Sequence, residues 1–264
     1  MTLDVSLGFF KMYFGDLQTI YKNKLPKDIA ITPDFAANAI MRDPRLYFAI
    51  PETLQTNKKV VKAALIHQAR TGVNYEDLPE DLKSDKEIAM QAVLAKHSVF
   101  PRLPPELRGD IEFIKVVLQE KDGGWFYNYL PYKLRDNREL IKLAITSIPL
   151  IFCNLKEPLR GDREIAVLAI KSAGRVETLS PRSGHGSIRS VLGYMTPEIK
   201  DFPMMLLAVK CGLSYHHLPE EFKQDEDIAL AAVKKNPDNY DRLPPHLQDD
   251  NIIVMAYKKV QEAT

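Results

Sequence analysis

Residues 75–93 read YEDLPEDLKSDKEIAMQAV, an order of residue types that recurs along almost the whole chain. With Leu78 as anchor, an aromatic residue stands three positions before it (Tyr75) and a proline one after (Pro79). Leu82 follows, then Asp85, then Ile88, Ala92 and Val93. Proline has no amide hydrogen, so it suits the first turn of a helix, where amides lack intrahelical acceptors anyway. Leu82 then falls one turn above Leu78 on the same face. Asp85 is a short acceptor ahead of an apolar pattern at helical spacing, which is N-cap behaviour. Ile88, Ala92 and Val93 form the buried stripe of that second helix, with a small residue where two backbones approach closely. The spacing predicts a short helix, a tight corner and a longer helix.

Laid along the chain at a period of roughly 25 residues, the pattern has anchors at Leu25, Ile50, Leu78, Leu103, Leu130, Leu155, Leu218 and Leu243. A broken unit lies between Leu179 and Tyr194. The cap slot reads Thr32, Asn57, Asp85, Asp110, Asn137, Asp162, Asp201, Asp225 and Asp250, every one a residue that accepts at a helix N-terminus. Acids at Asp34, Glu87, Glu112, Glu139, Glu164 and Asp227 sit where the helix dipole favours negative charge. The aromatic slot reads Tyr47, Tyr75, Phe100, Tyr127, Phe152, Tyr215 and Tyr240. These slots define helix starts, and they predict an all-α protein, an α-solenoid of stacked short-helix/long-helix repeats. Residues 1–24 are expected to be an N-terminal capping helix, with Phe10, Phe14, Leu17 and Tyr21 on one face over 5–22. Repeats follow over 25–178, an insertion loop over 179–193, and further repeats with a C-terminal cap over 194–264.

Composition agrees. Eighteen prolines in 264 residues would disrupt long helices, but here most of them punctuate helix starts. No apolar run is long enough to cross a membrane. Asp4 and Lys11 interrupt the apolar N-terminus, so no cleavable signal peptide is read, and the expected location is a cytosol, the cell's own or a host's. Two cysteines, Cys153 and Cys211, are too few for a disulfide framework and are expected to be reduced core thiols. A net charge of +1, from 36 bases against 35 acids, argues against a grip on nucleic acid. Bases are in excess over 101–200 and acids over 201–264, a mild polarity that suits an acidic partner near the middle.

Two stretches exceed the scaffold's needs. KDGGWFYNYLPY, at 121–132, adds Trp125, Tyr129 and Tyr132 to the repeat's own aromatics. Packing between repeats is the first reading of them and a recognition patch the second, since such rings are enriched at binding hot spots. The insertion LSPRSGHGSIRSVLG, 179–193, carries Arg182, His185 and Arg189, with Arg175 just before it. Guanidinium groups among Ser and Gly can bind phosphate or carboxylate, although SGHGS is not a phosphate loop, and a tolerated flexible insertion is the first reading. Cys211, His216 and His217 are too few for a structural zinc site, and His217 precedes an anchor, so no metal and no cofactor is assigned. Nothing marks either cysteine as a nucleophile.

The repeat texts DKEIAMQAVLAKHSVFPRLPPELRGD, DREIAVLAIKSAGRVETLSP and DEDIALAAVKKNPDNYDRLPPHLQDD resemble a tandem-repeat family of unknown function found in protists and in bacteria that live inside them. The resemblance spans roughly residues 25–260. It implies no catalytic residues, and because such arrays occur in effectors that bacteria inject, it implies a protein-binding scaffold. The expected function is a non-enzymatic scaffold, an effector or a regulator of one, that buries a protein or peptide segment; its partner would be a host protein or another effector. The alternatives are an enzyme or enzyme inhibitor acting through the 179–193 loop, and a nucleic-acid-binding repeat.

Overall fold

The computed structural model describes residues 32–120, 122–179 and 187–262. Every secondary-structure element among them is an α-helix or a 3-10 helix, and none of these helices is long and apolar enough to cross a membrane. The expected capping helix over 5–22 and the first anchor, Leu25, lie outside the described residues.

The nine cap residues all do the same work. Thr32 accepts from the Phe35 amide, Asn57 from Lys59, Asp85 from Glu87 and Ile88, and Asp110 from Phe113. Asn137 accepts from Glu139 and Leu140, Asp162 from Ile165, Asp201 from Met204, Asp225 from Ile228, and Asp250 from Ile252 and Ile253. Each begins a long helix: α1 Pro33–Arg42, α2 Lys58–Ile66, α3 Lys86–Ala95, α4 Ile111–Gln119, α5 Arg138–Ser147, α6 Arg163–Leu179, α7 Phe202–Cys211, α8 Glu226–Lys235 and α9 Asn251–Gln261. The buried stripe follows from the cap: Ile88, Ala89, Ala92 and Val93 in α3 recur as Leu140, Ile141, Ala144 and Ile145 in α5 and as Ile228, Ala229, Ala232 and Val233 in α8. Alanine in the third of these places lets neighbouring backbones close up.

The corner differs from expectation. The anchor does not open the short helix; it closes a 3-10 turn that carries the aromatic residue. Its amide donates to the aromatic residue's carbonyl, Leu78 to Tyr75, Leu103 to Phe100, Leu130 to Tyr127, Leu155 to Phe152, Leu218 to Tyr215 and Leu243 to Tyr240. The proline ring bars the residue before it from the helical region. Leu78 is accordingly extended (φ −74°, ψ 152°), and Pro79 is the N-cap of the short helix Glu80–Lys83 instead of its first residue. Leu155 and Met195 hold the same conformation without a following proline. The aromatic ring, buried at Tyr75, Tyr127 and Tyr215 and half-buried at Tyr240, then spans the corner: Tyr75 Oη donates to the Lys83 carbonyl at 2.5 Å, Tyr127 Oη to Arg135 at 2.6 Å and Tyr240 Oη to Gln248 at 2.7 Å, and Tyr215 Oη donates to Lys223. These carbonyls end the short turns, where no intrahelical donor remains.

The second correction falls on the insertion. Leu179, where the broken unit was expected to begin, is instead the last residue of α6. The helix runs on because Ser172, Ala173 and Gly174 are buried; a Cβ on Gly174 would lie 2.5 Å from the Cys211 carbonyl oxygen of α7. Of the expected loop 179–193, residues 188–193 belong to the helix Ile188–Tyr194, which Ser187 caps at the Ser190 amide and which buries Ile188 and Val191. Met195, 3 % exposed, is the anchor of this module.

The chain divides into two compact units, 1–117 and 118–264. In the first, α1 packs on α2 and α2 on α3; in the second, α5 packs on α6, α6 on α7, α7 on α8 and α8 on α9. Successive modules are also tied by charge. The base at the first position of one long helix meets the cap acid of the next: Lys58 with Asp85 at 2.8 Å, Lys86 with Asp110, Arg138 with Asp162, and Arg163 with Asp201. Lys86 holds the Asp110 carboxyl below its ordinary range, as Arg138 does for Asp162, in each case with help from the capped amides.

The two duties of Asp162 are separable by substitution. Asp162→Ala should cost about 1–2 kcal/mol in urea unfolding through the lost cap. Asp162→Asn keeps an acceptor, as Asn57 and Asn137 do, and should cost only the partly exposed ion pair, about 0.2–1 kcal/mol. Burial, with nearby acids, pushes the hydroxyls of Tyr75, Tyr127 and Tyr215 up to about 12. Between pH 10 and 12 the unfolded chain has lost these protons and the folded chain retains them, so stability must fall as pH rises through that window. Urea melts across the range should show this fall, reduced in Tyr127→Phe.

Candidate functional site

The position immediately before seven of the anchors, from Leu78 to Leu243, is fixed in backbone and exposed in side chain. Asp77, Arg102, Tyr129, Asn154, His217 and Arg242 each end a 3-10 helix, and Tyr194 ends the helix Ile188–Tyr194. All seven are exposed while the anchors beside them are buried. One slot thus presents acid, base, amide, phenol and imidazole from nearly the same local geometry.

Neighbouring modules meet at this slot. In the first unit, Arg102 Nη1 donates to Glu76 Oε1 at 2.5 Å, Glu76 standing one place before Asp77. In the second, the equivalent rung is Asn154 Nδ2 donating to Asn128 Oδ1 at 3.0 Å. The next is Arg242 Nη1 donating to His216 Nδ1 at 2.7 Å. A guanidinium can only donate, so Nδ1 of His216 is the acceptor in this contact. Ser214 Oγ is 2.8 Å from the same nitrogen, and the His216 and His217 rings lie 3.7 Å apart at centroid. Partial burial first, then His216, Arg189 and Arg242, hold the His217 imidazole below its ordinary range. The backbone here is set by Asn239, 4 % exposed. Its Oδ1 accepts from the Tyr215 amide at 3.2 Å, and its Nδ2 donates to the Ala232 carbonyl at 3.0 Å.

Two exposed tyrosines of the second unit carry a cation from another module. Lys156 Nζ is 4.0 Å from the centroid of the Tyr132 ring, while also pairing with Asp136 at 2.7 Å. The Arg160 guanidinium is 5.9 Å from the Tyr194 ring. Of the residues singled out in the sequence, Tyr132 is 68 % exposed, Tyr129 40 %, and Trp125 is half-buried. Arg175 is exposed on α6, with Nη2 donating to Ser172 Oγ at 3.3 Å. Arg189 is exposed on the helix Ile188–Tyr194, near His217. Arg182 and His185 lie outside the described residues. Tyr194, His216, His217 and Arg242 were not singled out as binding residues, although their offset from the anchor is visible in the sequence.

Little here suits covalent chemistry. Burial pushes both thiols, Cys153 and Cys211, up, away from the thiolate. No group of three or more His, Cys, Asp or Glu among the described residues is placed to hold a metal. An open trough of about 470 Å³, lined by Leu206, Lys210, Asp227, Leu230 and Lys234 among others, has no serine, threonine, cysteine or histidine in its lining.

A family model described as a domain of unknown function (DUF4116) matches residues 69–108 and 201–256. The chain is thus similar, over well under half its length, to a family without an assigned function. The first stretch contains the Glu76–Arg102 rung and the second the His216–Arg242 rung, so equivalent places in two matched copies carry different chemistry. No curated protein and no solved structure matches the chain.

Replacing Asn239 by alanine leaves the buried Tyr215 amide and Ala232 carbonyl without this partner. The expected loss is about 1–3 kcal/mol in urea unfolding. Changed amide shifts in NMR spectra should concentrate at 214–218 and 232–240.

Proposed function

We propose that this chain is a non-enzymatic α-solenoid that binds a protein or peptide segment along the exposed row before the anchors. The observation that supports this reading is the slot itself, a constant backbone position whose side chain varies from module to module. Stacked repeats use such positions to read an extended partner, since the fold places no packing demand on them. Tyrosines suit the task because they offer large, rigid area with a polar tip. In the second unit the row runs from Tyr129 through Asn154 and Tyr194 to His217 and Arg242, from aromatic to basic, which favours a segment with apolar and acidic parts. The resemblance to repeat proteins of intracellular bacteria extends the proposal to an effector or effector regulator, with a host protein or another effector as partner.

The enzyme reading through the insertion needs Arg182, His185 and Arg189 to converge on a shielded carboxylate or thiol, and the first two lie outside the described residues. Arg189 has a histidine and a second arginine in its neighbourhood, an arrangement suited to holding an anion.

Peptides selected from a displayed library on the full chain test the proposal. Their affinity should fall about tenfold or more in Tyr129→Ala or Tyr194→Ala, the loss expected of a tyrosine hot spot, and should be unchanged in Met255→Ala on α9. Equal binding to the wild type and both tyrosine variants would remove the row from consideration.

A further inference from the structure

We propose that Arg189, His216, His217 and Arg242 form a binding site for a dianionic phosphate group, carried by a phosphorylated side chain or supplied as free phosphate. The argument begins with the three equivalent rungs. Glu76–Arg102 is an ion pair and Asn128–Asn154 a neutral amide pair, so each is balanced in charge. His216–Arg242 is not: the guanidinium donates to an imidazole nitrogen, with no carboxylate in the pair. Neither Arg242 nor Arg189 forms a salt bridge among the described residues, whereas Arg138, Lys142, Lys156 and Arg163 of the same unit all do. Two guanidinium charges are therefore left unmatched beside two imidazoles.

The donors suit a tetrahedral oxyanion. Arg242 spends one N–H on His216, leaving most of its five donors; Arg189 is exposed; His217 adds a ring N–H. Charge-assisted bonds from guanidinium to phosphate are strong and favour bidentate geometry. Partial burial first, then His216 on its own turn, Arg189 on the helix Ile188–Tyr194 and Arg242 on the turn Pro237–Arg242, disfavour protonation of His217. A bound dianion reverses that balance. Binding of a phosphoserine side chain should take up a proton at His217 and tighten as pH falls from 8 toward 6.5, while its phosphate group, whose second ionisation lies near pH 6, remains largely dianionic.

The proposal deepens the scaffold reading at the basic end of the row, yet its test does not depend on a peptide. Imidazole signals of His216 and His217 in the full chain are followed by NMR while inorganic phosphate replaces chloride at constant ionic strength. Saturable shifts are expected. Affinity should fall about tenfold in Arg242→Gln and in Arg189→Gln, equivalent to about 1.4 kcal/mol each, and stay unchanged in Arg102→Gln at the equivalent rung. His217→Gln should flatten the pH dependence. Shifts that chloride reproduces, or a loss in Arg102→Gln equal to that in Arg242→Gln, would overturn the site. A phosphoserine peptide that binds tighter than inorganic phosphate, with its unphosphorylated form weak, assigns the group to a protein partner; equal affinities assign it to free phosphate. Phosphate binding that survives when no peptide binds would sink the scaffold reading alone.

Discussion

A hydrogen bond from the first free amides of a long helix to a short side-chain acceptor recurs nine times, and the rest of the structure is placed by it. An α-helix begins with amides that have no intrahelical partner, and inside a packed series of helices water cannot be relied on to satisfy them. The acceptor supplies that partner and fixes where the helix starts. The start fixes the rotation, so the residues three, four, seven and eight beyond the cap all face inward. The Ile-Ala-x-x-Ala-Val stripe of α3 and its counterparts in α5 and α8 are thus consequences of the cap, each buried aliphatic side chain contributing about 1.5–3 kcal/mol. Misplacing the cap by one residue would turn that stripe by a little over a quarter of a turn and expose it.

Asp85, Asp110, Asp162 and Asp201 have a second role. The unoccupied oxygen of each faces the base that opens the preceding long helix, as with Lys86 and Asp110 or Arg138 and Asp162. Each such pair contributes little alone, because both partners are partly exposed. Its value is in register: a module slid along its neighbour would separate the pairs and set acid against acid. The tyrosine that reaches from the 3-10 turn to the end of the short turn holds the remaining degree of freedom, the angle of the corner. Phe100 and Phe152 occupy the same place as buried rings without a hydroxyl to span the corner.

The caps, stripes and aromatic slots were legible in the sequence because each is a local demand with a narrow residue menu. The corner was not, because leucine-proline is compatible with a helix start and with a 3-10 turn that stops before it. Only the proline's effect on the residue behind it, read in three dimensions, separates the two. The reach of α6 was hidden for another reason. Gly174 looks like a breaker in one dimension, but in the fold it marks the place where α7 approaches too closely for a Cβ. The candidate surface was half legible: Tyr129, Tyr132 and Arg189 stood out as departures from the repeat. Tyr194, His216, His217 and Arg242 did not, because a residue adjacent to an anchor reads as scaffold until its exposure is known. No feature of the sequence signals that Arg242 meets His216, since the contact joins two modules.

The slot before the anchor varies in residue type from module to module for an energetic reason. Its backbone is held by the anchor's burial and by the amide-to-carbonyl bond of the turn, so the side chain contributes nothing that the module needs to fold. An exposed contact such as the rung to the neighbouring module is worth at most about 1 kcal/mol. A chain built of many modules tolerates such a loss at one rung, since the buried stripes on either side hold the two modules together. Replacing an acid by His216 opposite Arg242 therefore gives up little stability while leaving a guanidinium charge without its counter-ion. The same substitution inside the stripe would strand a polar ring in the core at a cost of several kcal/mol. Recognition can diversify at the slot because the fold does not depend on what stands there.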